Sequence, residues 1–163
     1  MERAKLLITT VGGLGLIRKA PGTWGSIPAA VALFVLLALH VDRTTYTVVA
    51  VAILVVASVL CIALTPWSER WFDRKDPRPM VLDEVAGQAL ALLAAPAAAF
   101  TDPAMAALFI ALSFGFFRLF DIVKPGLIGA AQNLPSGWGV LMDDLLAGAL
   151  ALGFILIGWN LIA

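Results

Sequence analysis

An uncharged apolar run in the first half of the chain sets narrow limits on its fold. Tyr46 to Thr65 contains no acidic or basic side chain, and a helix needs about 20 such residues to cross the hydrocarbon core of a bilayer. Charged residues make up 13% of the 163 residues, and hydrophobic residues make up 61%. Because a water-soluble domain has about 25% charged residues, the sequence predicts an integral membrane protein.

Further apolar segments predict a bundle of several membrane helices. Leu145–Ile162 is long enough to span, and Ile27–Val41 comes close to the minimum length. Two shorter segments, Val85–Phe100 and Ala104–Phe117, flank a Thr-Asp-Pro turn sequence. They form either two short spans or a re-entrant hairpin that never crosses. We therefore predict an all-α, polytopic membrane helical bundle with about three to five membrane segments, in a single domain (residues 1–163).

Basic residues are distributed unevenly between the two ends of this predicted bundle. The topology places ten of the eleven Lys and Arg residues on one side and leaves only Arg43 on the other. Because short loops rich in Lys and Arg stay in the cytoplasm, we expect a cytoplasmic N-terminus and a C-terminus on the opposite side. Most acidic residues fall on the same side, which predicts an active site at the cytoplasmic face. The net charge of zero gives no indication of a nucleic-acid partner.

A turn sequence, PGTWGS, precedes the first predicted span. Its glycines would let the backbone approach a ligand closely. Thr23 and Ser26 add hydroxyl groups, and Trp24 suits a membrane interface. We expect Ser26 to cap the N-terminus of the first helix. The sequence is compatible with a loop that contacts substrate and also with an ordinary capping turn.

Two pairs of adjacent acids begin apolar helices. Asp83 and Glu84 precede one, where capping alone would explain them. Asp143 and Asp144 precede the last span, which has no Lys or Arg in it to pair with them. Adjacent carboxylates repel each other, so a nearby cation would stabilise both. Carboxylate and amide oxygens, here including Gln88 on the face of Glu84, favour Mg²⁺ or Mn²⁺.

Arg118, Asp121 and Lys124 are spaced by three residues and would share one side of a helix. Neutralisation of the acid would account for the two cations, but together they leave spare positive charge. Arg binds phosphate in a bidentate manner, and Lys provides a point charge. The sequence has no Walker motif and no Ser-His-Asp set. Carboxylates for a hard cation together with these two bases indicate phosphoryl chemistry.

Four motifs in this order resemble the phosphatidylglycerophosphatase A family. They are APGTWGS at 20–26, LDEVAGQ at 82–88, FRLFDIVKP at 117–125 and GVLMDDLLAG at 139–148. The resemblance implies hydrolysis of the lipid phosphatidylglycerophosphate to phosphatidylglycerol and phosphate, and dependence on Mg²⁺. It also implies location in the bacterial inner membrane, in contact with membrane lipids. The chain departs from the expected pattern in the non-basic stretch 126–136 and at Trp138, where preference for the headgroup could change.

With this resemblance, the residues divide into two groups. We expect Mg²⁺ to be held, and catalysis performed, by five carboxylates: Asp83, Glu84, Asp121, Asp143 and Asp144. We expect the substrate to contact Thr23, Trp24, Ser26, Arg118 and Lys124. Either a water molecule or an aspartate could attack the phosphate. The sequence makes no prediction of oligomeric state.

Two other functions fit the sequence less well. A transporter or cation channel would have ionisable residues distributed through the membrane depth, whereas here they gather at one face. A phosphotransferase that uses a CDP-alcohol would carry a DG-x₂-AR motif with further spaced aspartates, and this motif is absent.

Overall fold

The computed structural model describes residues 1–131, 134–135 and 137–162. Within these residues every regular element is helical, which confirms the all-α prediction. The α-helices are α1 (Glu2–Thr9), α2 (Pro21–Ala38), α3 (Arg43–Trp71), α4 (Leu82–Ala91), α5 (Pro103–Val123), α6 (Leu127–Ala131) and α7 (Gly137–Ile162).

Four of these helices, α2, α3, α5 and α7, are long enough and apolar enough to cross a membrane. They contain the predicted segments 46–65, 104–117 and 145–162, whereas the predicted segment 27–41 runs three residues past the end of α2 at Ala38. Each helix extends beyond its apolar run. Helix α3 begins as early as Arg43 because the Asp42 carboxylate accepts a hydrogen bond from the Thr45 amide at 3.0 Å.

The predicted segment 85–100 differs from a regular span, because α4 ends at Ala91 and only a short 3₁₀ turn, Ala97–Phe100, follows. Ten residues of helix rise about 15 Å, half the hydrocarbon thickness. The chain nevertheless reaches the far end of the bundle. The Phe100 carbonyl lies 3.1 Å from His40 Nδ1, and the Phe100 ring packs edge-on against Tyr46 at 5.5 Å between centroids. From there α5 returns toward the end where α4 began.

Helices α4 and α7 cross at two glycines. A Cβ atom on Gly148 would collide with the Gly87 carbonyl oxygen, and one on Gly87 would lie 2.6 Å from the Asp144 carbonyl oxygen. Small residues allow helix backbones to approach this closely in membrane proteins. In each helix the glycine lies one turn after an aspartate: Gly87 after Asp83 in α4, and Gly148 after Asp144 in α7. The crossing therefore brings Asp83 close to Asp144.

Candidate active site

A cavity of about 540 Å³ opens at the end of the bundle where α2, α4 and α7 begin and α5 ends. Both signs of charge are present in its wall. The acidic lining residues are Asp76, Asp83, Glu84, Asp121, Asp143 and Asp144, and the basic ones are Arg18, Arg74, Arg78, Arg118 and Lys124.

Three carboxylates converge at the inner wall of this cavity. Oxygen atoms of Asp83, Glu84 and Asp144 all lie within 4.8 Å of one another, and Asp144 is only 3% exposed. In the described part of the chain, one buried oxygen of each has no hydrogen-bond donor: Asp83 Oδ1, Glu84 Oε2 and Asp144 Oδ2. Carboxylates so close repel one another and are costly to bury without a counter-charge. The three residues therefore fit a hard divalent cation such as Mg²⁺, which binds oxygen ligands.

Two basic side chains lie beside this trio and are held by the other two aspartates. Arg118 Nη1 lies 2.6 Å from Asp121 Oδ2, and Lys124 Nζ lies 3.8 Å from Asp121 Oδ1 and donates a hydrogen bond to Asp143. Desolvation alone would lower the pKa of Lys124, but the hydrogen bond and charge of Asp143 outweigh it and raise that pKa. Lys124 therefore stays protonated and can attract an anion.

The start of α2 closes the cavity against α4 and α5. The helix begins at Pro21, a residue whose fixed φ suits the first helical position. A Cβ atom on Gly22 would overlap the Glu84 carboxylate and lie 3.0 Å from the Arg118 guanidinium. Glycine at this position thus lets the α2 backbone lie directly against a member of the acidic trio and against a basic residue.

Three residues of the PGTWGS motif that we expected to contact substrate, Thr23, Trp24 and Ser26, lie in the first two turns of α2. Thr23 is half-buried, Trp24 is 41% exposed, and neither lines the cavity. Ser26 is fully buried and donates a hydrogen bond to the Gly22 carbonyl at 2.8 Å. The prediction that Ser26 caps the helix is wrong, because α2 already begins at Pro21. Its hydroxyl instead bonds back to the preceding turn, as serine often does inside helices.

Comparisons with known proteins identify the family of the chain. The model of the family described as "Phosphatidylglycerophosphatase A" matches residues 7–159. The chain belongs to this family. It is therefore a phosphatase, a hydrolase of phosphoric monoesters in phosphatidylglycerol metabolism, and its four apolar helices agree with a membrane protein.

Two curated relatives cover most of the chain. A Bacteroides thetaiotaomicron protein named "Putative phosphatidylinositol-3-phosphatase" is 35% identical over 96% of this chain and 95% of its own length. The "Phosphatidylglycerophosphatase A" of Haemophilus influenzae is 31% identical over 85% of this chain and 78% of its own length. No solved structure gives a significant match.

The structure divides the five predicted carboxylates into two sets. Asp83, Glu84 and Asp144 come within the distance at which oxygens share a cation. Asp121 and Asp143 instead contact the basic side chains of Arg118 and Lys124. This division was not apparent from the sequence, where Asp143 and Asp144 are adjacent and no motif assigns them different roles.

Sequence reasoning missed the charged rim of the cavity. Arg18, Arg74, Asp76 and Arg78 line it and are exposed. The only signal was their place among the basic residues at the predicted cytoplasmic side, which membrane topology already explained.

Where the structure describes them, the departures noted in the sequence do not line the cavity. Within 126–136, residues 132, 133 and 136 lie outside the described residues, and none of the others lines the cavity. Trp138, at the start of α7, is 53% exposed.

Proposed function

We propose that the chain hydrolyses phosphatidylglycerophosphate to phosphatidylglycerol and inorganic phosphate, with Mg²⁺ held by Asp83, Glu84 and Asp144. One observation carries the proposal: these three carboxylates converge, each with a buried oxygen that lacks a donor, beside Arg118 and Lys124 in a single cavity. A divalent cation supplies positive charge that stabilises the transition state of phosphoryl transfer. The family description and the name of the H. influenzae relative support this substrate.

Different basic residues bind the two phosphate groups of the substrate headgroup. Arg118 and Lys124 bind the oxygens of the phosphate monoester, and Asp121 holds both cations in position. The phosphodiester of the same headgroup carries a further negative charge. Arg18, Arg74 and Arg78 at the rim attract that charge without entering the reaction.

We propose water, rather than an aspartate, as the nucleophile. Both oxygens of Asp121 face a cation and Asp143 is bonded to Lys124. Asp83 and Asp144 would bind Mg²⁺, so each of these four aspartates already has a positively charged partner. Water adds to phosphorus while the bond from phosphorus to the glycerol oxygen breaks, and one proton of that water passes to the glycerol oxygen, which leaves phosphatidylglycerol and inorganic phosphate. Acid-quenched reactions with radiolabelled substrate should leave no phosphate on the protein. A labelled aspartyl phosphate would overturn this step.

A second candidate substrate is phosphatidylinositol 3-phosphate. The B. thetaiotaomicron relative, whose name includes this activity, matches more of the chain than the H. influenzae protein does. Both lipids carry a phosphate monoester on a polyol that is joined to the lipid by a phosphodiester, so the same cations could bind either.

The test compares the two lipids with the purified, detergent-solubilised protein. We expect phosphate release from phosphatidylglycerophosphate in the presence of Mg²⁺, and its loss in EDTA. A larger kcat/KM for phosphatidylinositol 3-phosphate would replace the first substrate with the second. Release that continues in EDTA would refute the role of the cation, and no release from either lipid would refute the substrate class.

We further propose that the cavity faces the cytoplasm from the inner membrane of a bacterium. The predicted topology places ten of the eleven Lys and Arg residues at the end of the bundle that contains the cavity. Arg43, the exception, stacks on Phe100 at the far end, with its guanidinium 5.3 Å from the ring centroid.

A further inference from the structure

We propose that the groove between α2 and α5 binds one acyl chain of the lipid substrate. This groove has a volume of about 430 Å³ and an entirely apolar lining. The lining residues are Ile27, Ala30, Val31 and Phe34 on α2 and Ala107, Ile110, Ala111 and Phe114 on α5. The inference rests on the proposed function only in that the substrate is a phospholipid with a phosphate monoester.

The groove and the active-site cavity lie on one continuous face of α5. Ile110, Phe114, Arg118 and Ile122 follow one another at intervals of four residues, so they form one continuous ridge on the helix surface, inclined to the helix axis. The first two line the groove, and the last two line the cavity. From Phe114 to Arg118 the helix rises only about 6 Å. The apolar surface therefore ends one turn below the guanidinium that we expect to bind phosphate.

Helix α2 shows the same arrangement from the other side. Gly22, which lies against Glu84 and Arg118, is two turns from Ala30 in the groove. Thr23 lies one turn from Ile27 and thus stands between the polar and apolar regions. A phospholipid has the same order of chemistry, with a charged headgroup, then ester groups, then an acyl chain. This match identifies the occupant as the substrate itself rather than a partner protein.

Small side chains create the groove. Ala30, Ala107 and Ala111 leave space where the larger residues beside them, such as Leu108 and Leu112, project outward and are exposed. Because lipid tails are as apolar as these side chains, the groove gains little hydrophobic energy from a chain within a bilayer. Its effect is to orient the lipid, so that the headgroup phosphate meets Arg118 in a reactive position.

A second apolar groove provides an internal comparison. It has a volume of about 370 Å³, lies between α1, α3 and α4, and includes Val56, which is 57% exposed. Its α4 residues, Leu82 and Val85, adjoin Asp83 and Glu84 of the acidic trio, but none of its residues lies on α5 or within one turn of Arg118. It therefore lacks the direct path from an apolar face to a phosphate-binding residue that α5 provides.

The kinetic test fills the groove. The quantity measured is kcat/KM for phosphatidylglycerophosphate with two long acyl chains, divided by kcat/KM for the analogue with two short chains. Ala111→Phe should lower this ratio by about tenfold, because reacting groups that are misplaced react much more slowly. Val56→Phe, the matched control in the other groove, should leave this ratio unchanged. An unchanged ratio for Ala111→Phe, or an equal change for Val56→Phe, would overturn the proposal.

A labelling test separates this inference from the proposed function, since it needs no turnover. Phosphatidic acid with a photoreactive diazirine in one acyl chain, mixed with the protein in phosphatidylcholine vesicles and EDTA, should label 27–34 and 107–114. Ala111→Phe should reduce this labelling at least about twofold, in line with the lost space. Labelling of these segments without any phosphatase activity would support acyl-chain binding in the groove and refute the proposed function. Activity with labelling spread evenly over α3 and α7 would refute the groove alone.

Discussion

Asp144 has an unusual environment for an aspartate, because it is buried about two turns into α7 rather than at a helix end. It lies against the α4 backbone at Gly87 and shares a cluster with Asp83 and Glu84, whereas Asp102 at the far end of the bundle caps α5 through the Ala104 amide at 2.8 Å. The capping aspartate gains from the helix dipole. The charge of the buried Asp144 is stabilised only if a cation is present. Removal of the charge should therefore have different effects at Asp144 and at Asp102.

We predict that Asp144→Asn lowers kcat/KM by a factor of about 100 to 1,000, the cost of removing one electrostatic stabiliser of a transition state. Phosphate release from phosphatidylglycerophosphate at saturating Mg²⁺ measures this effect. Asp102→Asn, the same change at the opposite end, should retain wild-type activity, since asparagine also caps helices well.

The same pair of variants separates a cation site from a structural cluster. Mg²⁺ at about 100 times its Kd should stabilise the wild-type protein by about 2.7 kcal/mol, seen as a higher thermal midpoint in detergent. Asp144→Asn should show a much smaller gain. Equal Mg²⁺ stabilisation of the wild type and of Asp144→Asn would mean that the cation binds elsewhere.

Arg118 tests the phosphate-binding side of the cavity. Replacing it by Lys keeps the charge but loses the planar, bidentate group. A hydrogen bond to a charged group contributes about 1.5–3 kcal/mol, so kcat/KM should fall about ten- to a hundredfold in the phosphate-release assay. Arg43→Lys, at the far end against Phe100, is the matched control and should have no effect. Wild-type activity of Arg118→Lys would exclude bidentate binding.

At the scale of elements, the crossing of α4 and α7 decides where the acids meet. The sequence predicted helices at both acidic pairs, and hydropathy located all four long helices, although their ends differ from the predicted ones by up to about eight residues. It did not predict that α4 stops at Ala91, because the run that continues to Phe100 is just as apolar. It also did not predict which aspartates converge, since this depends on the contact between Gly87 and Gly148, two residues far apart in the chain.

That contact gives a prediction with a control in the same helix. Gly148→Ala forces a methyl group against the Gly87 carbonyl, which is backbone and cannot move aside. We expect a loss of about 1–3 kcal/mol in stability and lower phosphatase activity, because the acidic pairs separate. Gly153→Ala places its methyl group in open space and should be neutral or stabilising by up to about 1 kcal/mol. Thermal midpoints in detergent, with and without Mg²⁺, measure both, and equal midpoints for the two variants would exclude this role for the crossing.

At the scale of the whole molecule, the bundle is chemically asymmetric along its length. Acids and bases surround the cavity at one end, and the far half is filled by apolar residues around Tyr46 and Phe109. Tyr46 satisfies its hydroxyl there by donating to the Leu92 carbonyl at 2.8 Å. A lipid can therefore bring its phosphate to the cavity while its tails stay in the membrane, so the substrate need not leave the bilayer.

This asymmetry also fixes which side of the membrane the reaction uses, if basic residues stay in the cytoplasm. The only cysteine, Cys61, is fully buried, so the wild-type chain should not react with a membrane-impermeant maleimide and serves as the control. Thr101→Cys, at the far end, should react in intact spheroplasts. Lys75→Cys, exposed in the loop between α3 and α4, should react only after lysis. The reverse pattern would place the cavity outside the cell, and reaction of both variants in intact cells would show that the intervening helices do not separate two compartments.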